Sequence, residues 1–368
     1  MKKELVNIKL PINASHEVKE LLFSYSTYSN DIPKLKKLKK VFVTYDGLVL
    51  KNGLLAGGCA FNLRGKADNT FYYFFWRDVI EKYAVCRWGK SLVSHHLKGP
   101  QKYLLIHSKW FNYSFWINSF LPRLVQAENA GILNDVKLIV PEGWKNIPYV
   151  WDSLEAFNIS KEIIPADSHL FVDHLIMPET RKWTYSFNPQ VIQNTSSKLI
   201  DYALKTTDAI RSNTKKIYLT RSQRGVRCAE NEEEVLALVI KFGYTPISFE
   251  DFSIWQQVLI MQQATHFISI HGAGMSNLMF MPPNSAVLEL INRPYAHAEY
   301  TFPFWTLANS VQVRYFMQLC DVVNGKDAKL SFGKKRAEED VQYLVNENLI
   351  VDLCLLESNL QLMEQNEH

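Results

Sequence analysis

Short apolar runs alternate along the chain with longer amphipathic stretches, and the alternation predicts strands and helices in turn. Val41-Phe42-Val43-Thr44, Tyr103-Leu104-Leu105-Ile106 and Val136-Lys137-Leu138-Ile139-Val140 are β-prone runs, the last closed by Pro141. Between the last two, the apolar positions from Trp116 to Ala130 follow a helical period, with Pro122 set to kink or split the helix. Strand, helix, strand predicts a parallel α/β unit. From Met177-Pro178-Glu179 to Asn188-Pro189 the pattern loosens into a polar and aromatic stretch, which marks the end of an N-terminal domain over residues 1–180.

The second half is more regular. Lys216-Ile217-Tyr218-Leu219-Thr220 is a strand that delivers Arg221 into a basic loop. Asn231 with Glu234 makes a capping-box pattern for a helix whose buried stripe is Val235, Leu236, Val239 and Phe242, and Gly243 ends it. Pro246-Ile247-Ser248 is extended, and Ser253 with Gln256 repeats the cap pattern before a helix from Ile254 to Ala264. Thr265 to Ile270 is a strand, followed by His271-Gly272-Ala273-Gly274, a short helix from about Met275 that Pro282-Pro283 breaks, and a strand from Ala286 to Ile291. This predicts a Rossmann-like sheet with ligands at its strand C-termini, in a second domain over residues 181–330. Apolar positions at Val341, Leu344, Val345, Ile350, Leu353, Leu356, Leu360 and Met363 predict a helical segment over 331–368 that packs back across the domains.

Composition narrows the setting. A length of 368 residues suits about two domains, and 47% hydrophobic residues supply their cores. A net charge of +4, from 41 basic and 37 acidic residues, is too weak to argue for a nucleic-acid partner. Asn7, Lys9 and Asn13 interrupt any apolar leader, and no run reaches the roughly 18 apolar residues of a membrane span. Cys59, Cys86, Cys228, Cys320 and Cys354 are scattered without a C-x-x-C pair, as expected of reduced thiols in a cytoplasm. Lys34-Leu35-Lys36-Lys37-Leu38-Lys39-Lys40 reads as solvated surface before the Val41 strand, or as a peripheral contact for an anionic membrane or acidic glycan. Phe71-Tyr72-Tyr73-Phe74-Phe75-Trp76 reads as a core strand, with one face able to stack on sugar rings.

Three features carry chemistry. Glycines in His271-Gly272-Ala273-Gly274-Met275-Ser276-Asn277 allow close approach to a phosphate at a helix start, or equally a tight strand-to-helix turn. Glu289, on the next strand, is placed to accept hydrogen bonds from ribose hydroxyls, or to be a surface carboxylate. Arg221, Arg224 and Arg227 share one loop, where guanidinium groups can neutralise a diphosphate. Together they favour a nucleotide-sugar site. The dinucleotide fingerprint of an oxidoreductase is incomplete, because Asn277 stands where its third glycine belongs and the helix is short.

Ile217-Tyr218-Leu219-Thr220-Arg221, Arg227, Asn231-Glu232, Glu234-Val235, Ser253 to Ala264, His271-Gly272-Ala273-Gly274, Asn277, Phe280-Met281-Pro282-Pro283 and Val287-Leu288-Glu289-Leu290 resemble the C-terminal signature of glycosyltransferase family 61. Trp110, Asn112-Tyr113 and Trp116 through Leu121-Pro122-Arg123-Leu124 resemble its N-terminal motif, and Asp152-Ser153-Leu154-Glu155 through Ile163-Ile164-Pro165 is also similar. The resemblance implies a two-domain GT-B fold, α/β throughout, with two Rossmann-like domains facing a central cleft, the acceptor on the N-terminal side and the donor on the C-terminal side. It implies an inverting, metal-independent transfer from a nucleotide diphosphate sugar, commonly a UDP-sugar, with no other cofactor. Arg221, Arg227, Asn231, His271, Gly272, Ala273, Gly274, Asn277 and Glu289 are then the donor-binding residues. No D-x-D or H-E-x-x-H metal motif is present in the sequence.

One departure matters for mechanism. The family motif reads Asn-Tyr-x-His with an acidic residue one helical turn later, and here Phe115 and Ser119 hold those two positions. Neither can take the proton that an attacking acceptor hydroxyl must lose. His107, which follows a strand directly, is the first substitute, with Asp46 and Asp78 behind it. The leading expectation is a cytoplasmic glycosyltransferase acting on a lipopolysaccharide or capsule glycan; a binding-only relative is the alternative that Phe115 and Ser119 motivate.

Overall fold

Two large sheets, with a two-stranded sheet of Leu5–Asn7 and Thr27–Ser29 beside them in the chain, organise the described residues. The computed structural model describes residues 5–30, 33–52, 54–59, 94–108, 111–165, 168–181, 185–207, 214–221, 227–297, 302–323 and 347–365. The Phe71–Trp76 run, Asp78, Trp110, Arg224, Cys86 and the tail positions Val341, Leu344 and Val345 lie outside these residues. The chain divides into two compact units, Asp31–Leu199 and a second that joins Met1–Asn30 to Ile200–His368.

The Asp31–Leu199 unit contains strands β1 (Leu35–Val43), β2 (Val49–Lys51), β3 (Leu54–Leu55), β4 (Ser94–Leu97), β5 (Lys102–Leu104), β6 (Val136–Pro141), β7 (Lys161–Ile164) and β8 (His169–Pro178). They lie in the order β3-β2-β1-β8-β5-β6-β7, with β4 also beside β8. The strand-helix-strand expectation is met, since β8, β5, β6 and β7 run parallel, while β1 to β3 add an antiparallel half. Val41, Val43, Leu105, Ile139, Val172 and Met177 meet in its core. The lysine-rich stretch forms the first half of β1, with Lys37, Lys39 and Lys40 exposed and Lys36 paired to Glu179 at 2.9 Å. The predicted helix runs as a turn at Tyr113–Phe115, a π-helical turn at Trp116–Phe120 and then α1 (Leu121–Asn129), with Pro122 in its first turn. Proline lacks the N–H for a bond four residues back, and the wider turn before it accommodates its ring.

The second unit contains β9 (Lys216–Leu219), β10 (Thr245–Ile247), β11 (His266–Ile270), β12 (Ala286–Asn292), β13 (Arg314–Val322) and β14 (Leu349–Ile350). Their order is β10-β9-β11-β12-β13-β14, with the first five parallel and β14 antiparallel. Every residue of β11 and β12 is buried, as central strands covered on both faces must be. Helix α2 (Ile254–Gln263) starts with the predicted capping box of Ser253 and Gln256.

Two departures from the sequence pattern have clear causes. The first thirty residues group with this second unit and not with those that follow them. Strand β14 covers β13 only at Asp321 and Val322, so the β13 backbone beyond it has an open edge. Ile12 N donates to Tyr315 O at 3.0 Å, and the Asn13 amide accepts from Met317 N at 3.0 Å and donates to Met317 O at 2.9 Å. An asparagine side chain thus covers the edge as a strand would. In the tail, Ile350 belongs to β14, and the helix is α3 (Leu353–Gln365), whose Leu356, Leu360 and Met363 are fully buried in the core of the same unit with Tyr218, Ile268, Leu288 and Phe316. Among the described residues no helix is long and apolar enough to cross a membrane.

Candidate active site

Strands β9 and β11 are neighbours, with Leu219 opposite Ser269. Beyond them the sheet continues to β10 on one side and β12 on the other, so the loops leaving their C-termini diverge and open a crevice. Thr220-Arg221 leaves β9 there, and His271-Gly272 leaves β11. A methyl group added at Gly272 would collide with Arg221 Nη1, and one added at Gly274 would lie 2.6 Å from Leu219 Cδ2. Gly272 has extended backbone, at φ 168°, so its need for glycine comes from this close approach and not from its dihedrals. Arg221 is buried. Its loop returns beside it, where Cys228 Sγ donates to Arg221 O at 3.3 Å, and the preceding Arg227 is half-buried with left-handed φ of 56°. The helix after Gly272 is of 3-10 type and spans Ala273–Phe280.

His271 and Glu289 are linked directly. His271 Nδ1 is hydrogen-bonded to one carboxylate oxygen of Glu289, and the Tyr315 hydroxyl donates to the other. Burial, and then the Glu289 charge, push the Tyr315 phenol well above its ordinary range. Tyr295 and Phe304 lie against the His271 ring, with centroids at 5.0 and 5.2 Å. Glu289 is 1% exposed, in the middle of β12. The sequence reading gave it to ribose hydroxyls; both its oxygens are instead engaged within the fold.

Two further expected donor residues also have internal partners. Asn277 is fully buried, and its Nδ2 donates to Gln257 Oε1 at 3.0 Å. Gln257 in turn donates to Phe249 O and Phe252 O, so this chain of amides fastens the 3-10 helix to α2 and the segment before it. Asn231 exchanges two hydrogen bonds with the Val351 backbone, at 2.9 and 3.0 Å. It therefore makes no side-chain cap on the helix Glu232–Lys241, contrary to the capping-box pattern. Glu232 takes a part that the sequence did not reveal: it accepts from Tyr218 OH at 2.9 Å and Thr220 Oγ1 at 3.1 Å, which fixes the end of β9 just before Arg221.

In the other unit, His107 is 2% exposed, with its ring edge-on to Trp144 at 5.0 Å and against Gly47. Burial, with the Arg123 charge second, pushes it down to about 3. An imidazole in that position is a weak base shielded from the surface, which counts against the proton-acceptor role expected from its place after a strand. Arg123 is itself buried and held down to about 9 by that burial. It donates to the carbonyls of Pro178 (2.7 Å), Ile106, His107 (3.2 Å) and Leu105 (3.4 Å). Phe115 is half-buried, and Ser119 Oγ accepts from Arg181 at 2.8 Å. Asp46 is half-buried and accepts from the Thr44 hydroxyl.

The family model for Glycosyltransferase 61 matches residues 113–288. This match supports assignment to glycosyltransferase family 61. The match supports glycosyltransferase activity, and a short 3-10 helix before Pro282-Pro283 stands where a dinucleotide-binding fold has a full helix. No curated protein matches the chain. The match includes Arg221, His271, Gly272 and Gly274, the residues gathered at the β9–β11 crevice, and ends one residue before Glu289. Among the described residues no three His, Cys, Asp or Glu side chains gather as a metal site.

Proposed function

We propose that this glycosyltransferase moves a sugar from a nucleotide diphosphate donor, a UDP-sugar, to a glycan acceptor of lipopolysaccharide or capsule type, with inversion and without a metal ion, on a GT-B arrangement of two domains. The observation that carries the reading is the position of the Arg221 guanidinium against Gly272, at the point where the β9 and β11 loops diverge. A fixed, buried cation next to backbone N–H groups at a helix start supports binding of a diphosphate. In the transfer, the acceptor oxygen attacks the anomeric carbon as the bond to the diphosphate breaks. The electron pair leaves with the diphosphate, whose growing charge Arg221 and the Ala273–Phe280 helix start offset, and the acceptor proton passes to a base. The exposed lysines of β1 suit an acidic glycan or an anionic membrane surface at a cytoplasmic face.

Thermal denaturation with UDP, in the presence of a chelator, tests the donor reading. UDP raises the Tm and NAD does not; stabilisation by NAD alone overturns it. Transfer assays across UDP-sugars and CMP-sugars, with lipopolysaccharide and capsule fragments as acceptors, then identify the reaction. An anomeric product of retained configuration overturns the inverting mechanism.

A further inference from the structure

His271, Glu289 and Tyr315 sit on three consecutive strands or their ends. Glu289 on β12 lies opposite Met317 of β13, so Tyr315, two residues earlier on β13, shares its face of the sheet. Exposure rises along the chain of groups: the Tyr315 and Glu289 side chains are buried, while the His271 side chain is 14% exposed. The ring therefore spans from the sheet core to the surface next to Gly272. Tyr295 and Phe304 pack against the ring and restrict its rotation.

The contact with Glu289 bears on which nitrogen carries the proton in the neutral ring. An ionised carboxylate only accepts, so the bond between Glu289 and His271 needs the proton on Nδ1. Tyr315 donates to the other oxygen and so keeps the carboxylate from turning away. The other ring nitrogen is Nε2, on the residue just before Gly272, against which Arg221 packs.

We propose that Glu289 and Tyr315 are positioning residues, which lock His271 with its proton on Nδ1 and its Nε2 turned to the bound nucleotide. A buried carboxylate then governs how the nucleotide is held without touching it. This rests on the reading that the donor binds at the β9–β11 crevice, and it reassigns Glu289 from ribose contact to control of the histidine.

Nitrogen-15 NMR of the full chain, labelled at histidine and without nucleotide, reads the tautomer directly. The neutral His271 ring carries its proton on Nδ1 in the wild type, and Glu289→Gln moves a measurable share to Nε2. A wild-type ring with its proton on Nε2 overturns the proposal. Calorimetry with UDP supplies the second readout. Glu289→Gln and His271→Ala each weaken UDP binding about tenfold, and the double variant binds no worse than His271→Ala alone. Losses that multiply, or a UDP affinity untouched by His271→Ala, overturn it. If UDP fails to bind the wild type, the donor-site reading fails, and the NMR result still decides the positioning. Tyr315→Phe, which removes only the hydroxyl, gives the same tautomer shift if Glu289→Gln does not fold.

Discussion

The guanidinium of Arg221 occupies the space that a side chain at Gly272 would need. Two segments about fifty residues apart in the chain are thereby fitted to each other, and the fit fixes where a positive charge stands relative to the start of the Ala273–Phe280 helix. Gly272→Ala forces Nη1 away. UDP binding weakens by roughly ten- to a hundred-fold, the range for one charge-assisted hydrogen bond, as measured by calorimetry. Arg221→Ala produces a similar loss, and the two together add little, because both remove the same cation. A Gly272→Ala variant that binds UDP like the wild type contradicts this account.

Asn277 has a different fate. Its amide is buried against Gln257, so Asn277→Ala costs stability and not chemistry, by about 1–3 kcal/mol for a lost buried hydrogen bond. Urea denaturation measures the loss. UDP affinity, corrected for the folded fraction, stays within about twofold; a large drop in affinity with unchanged stability returns Asn277 to the donor site.

The legible parts of the sequence were those governed by local rules. The strands at Val136–Pro141, Lys216–Leu219, His266–Ile270 and Ala286–Asn292 follow from apolar runs with proline or glycine nearby, and the Ser253 capping box from its spacing alone. Polar roles were not legible, because an amide or carboxylate has the same letter whatever it faces. Asn231 matches a cap pattern, yet tertiary contact with Val351 outcompetes the helix end. Glu289 matches an acidic ribose ligand, yet the Tyr315 that occupies it arrives from a strand the sequence reading did not identify. The grouping of residues up to Asn30 with the second unit rests on contacts some 300 residues away, such as Asn13 with Met317 and Lys9 with Trp305, which no local pattern encodes.

His107 makes stability depend on pH. Its value falls from an ordinary 6.5 to about 3 in the folded chain, so the unfolded chain binds the proton more readily. Its contribution is complete above pH 6.5 and is lost as pH falls toward 3, at up to about 1.4 kcal/mol per pH unit. His107→Gln flattens that part of the profile in urea denaturation between pH 6.5 and 4. The pH dependence of transfer near neutrality does not follow His107, and a kinetic pKa near 7 that disappears in His107→Gln would restore it as the base.

Arg123 ties four backbone carbonyls together within the Asp31–Leu199 unit. One guanidinium serves the carbonyls of Leu105, Ile106 and His107 after β5 and of Pro178 at the end of β8, so it joins two parallel strands where their ladder stops. Arg123→Met fills much of the volume but leaves those carbonyls buried without this donor. The expected loss exceeds about 3 kcal/mol, since each buried polar group left unmet costs about 1–3 kcal/mol. Arg123→Lys keeps a charge but cannot spread donors over four acceptors from one rigid fork, and recovers only part of the loss. Because three of the lost bonds hold the backbone of Leu105, Ile106 and His107 itself, both variants also shift the His107 NMR signals, whereas a residue that merely filled space would leave them in place in Arg123→Met. Denaturation midpoints within about 1 kcal/mol of the wild type for both variants would show that backbone pairing alone holds the ends of β5 and β8.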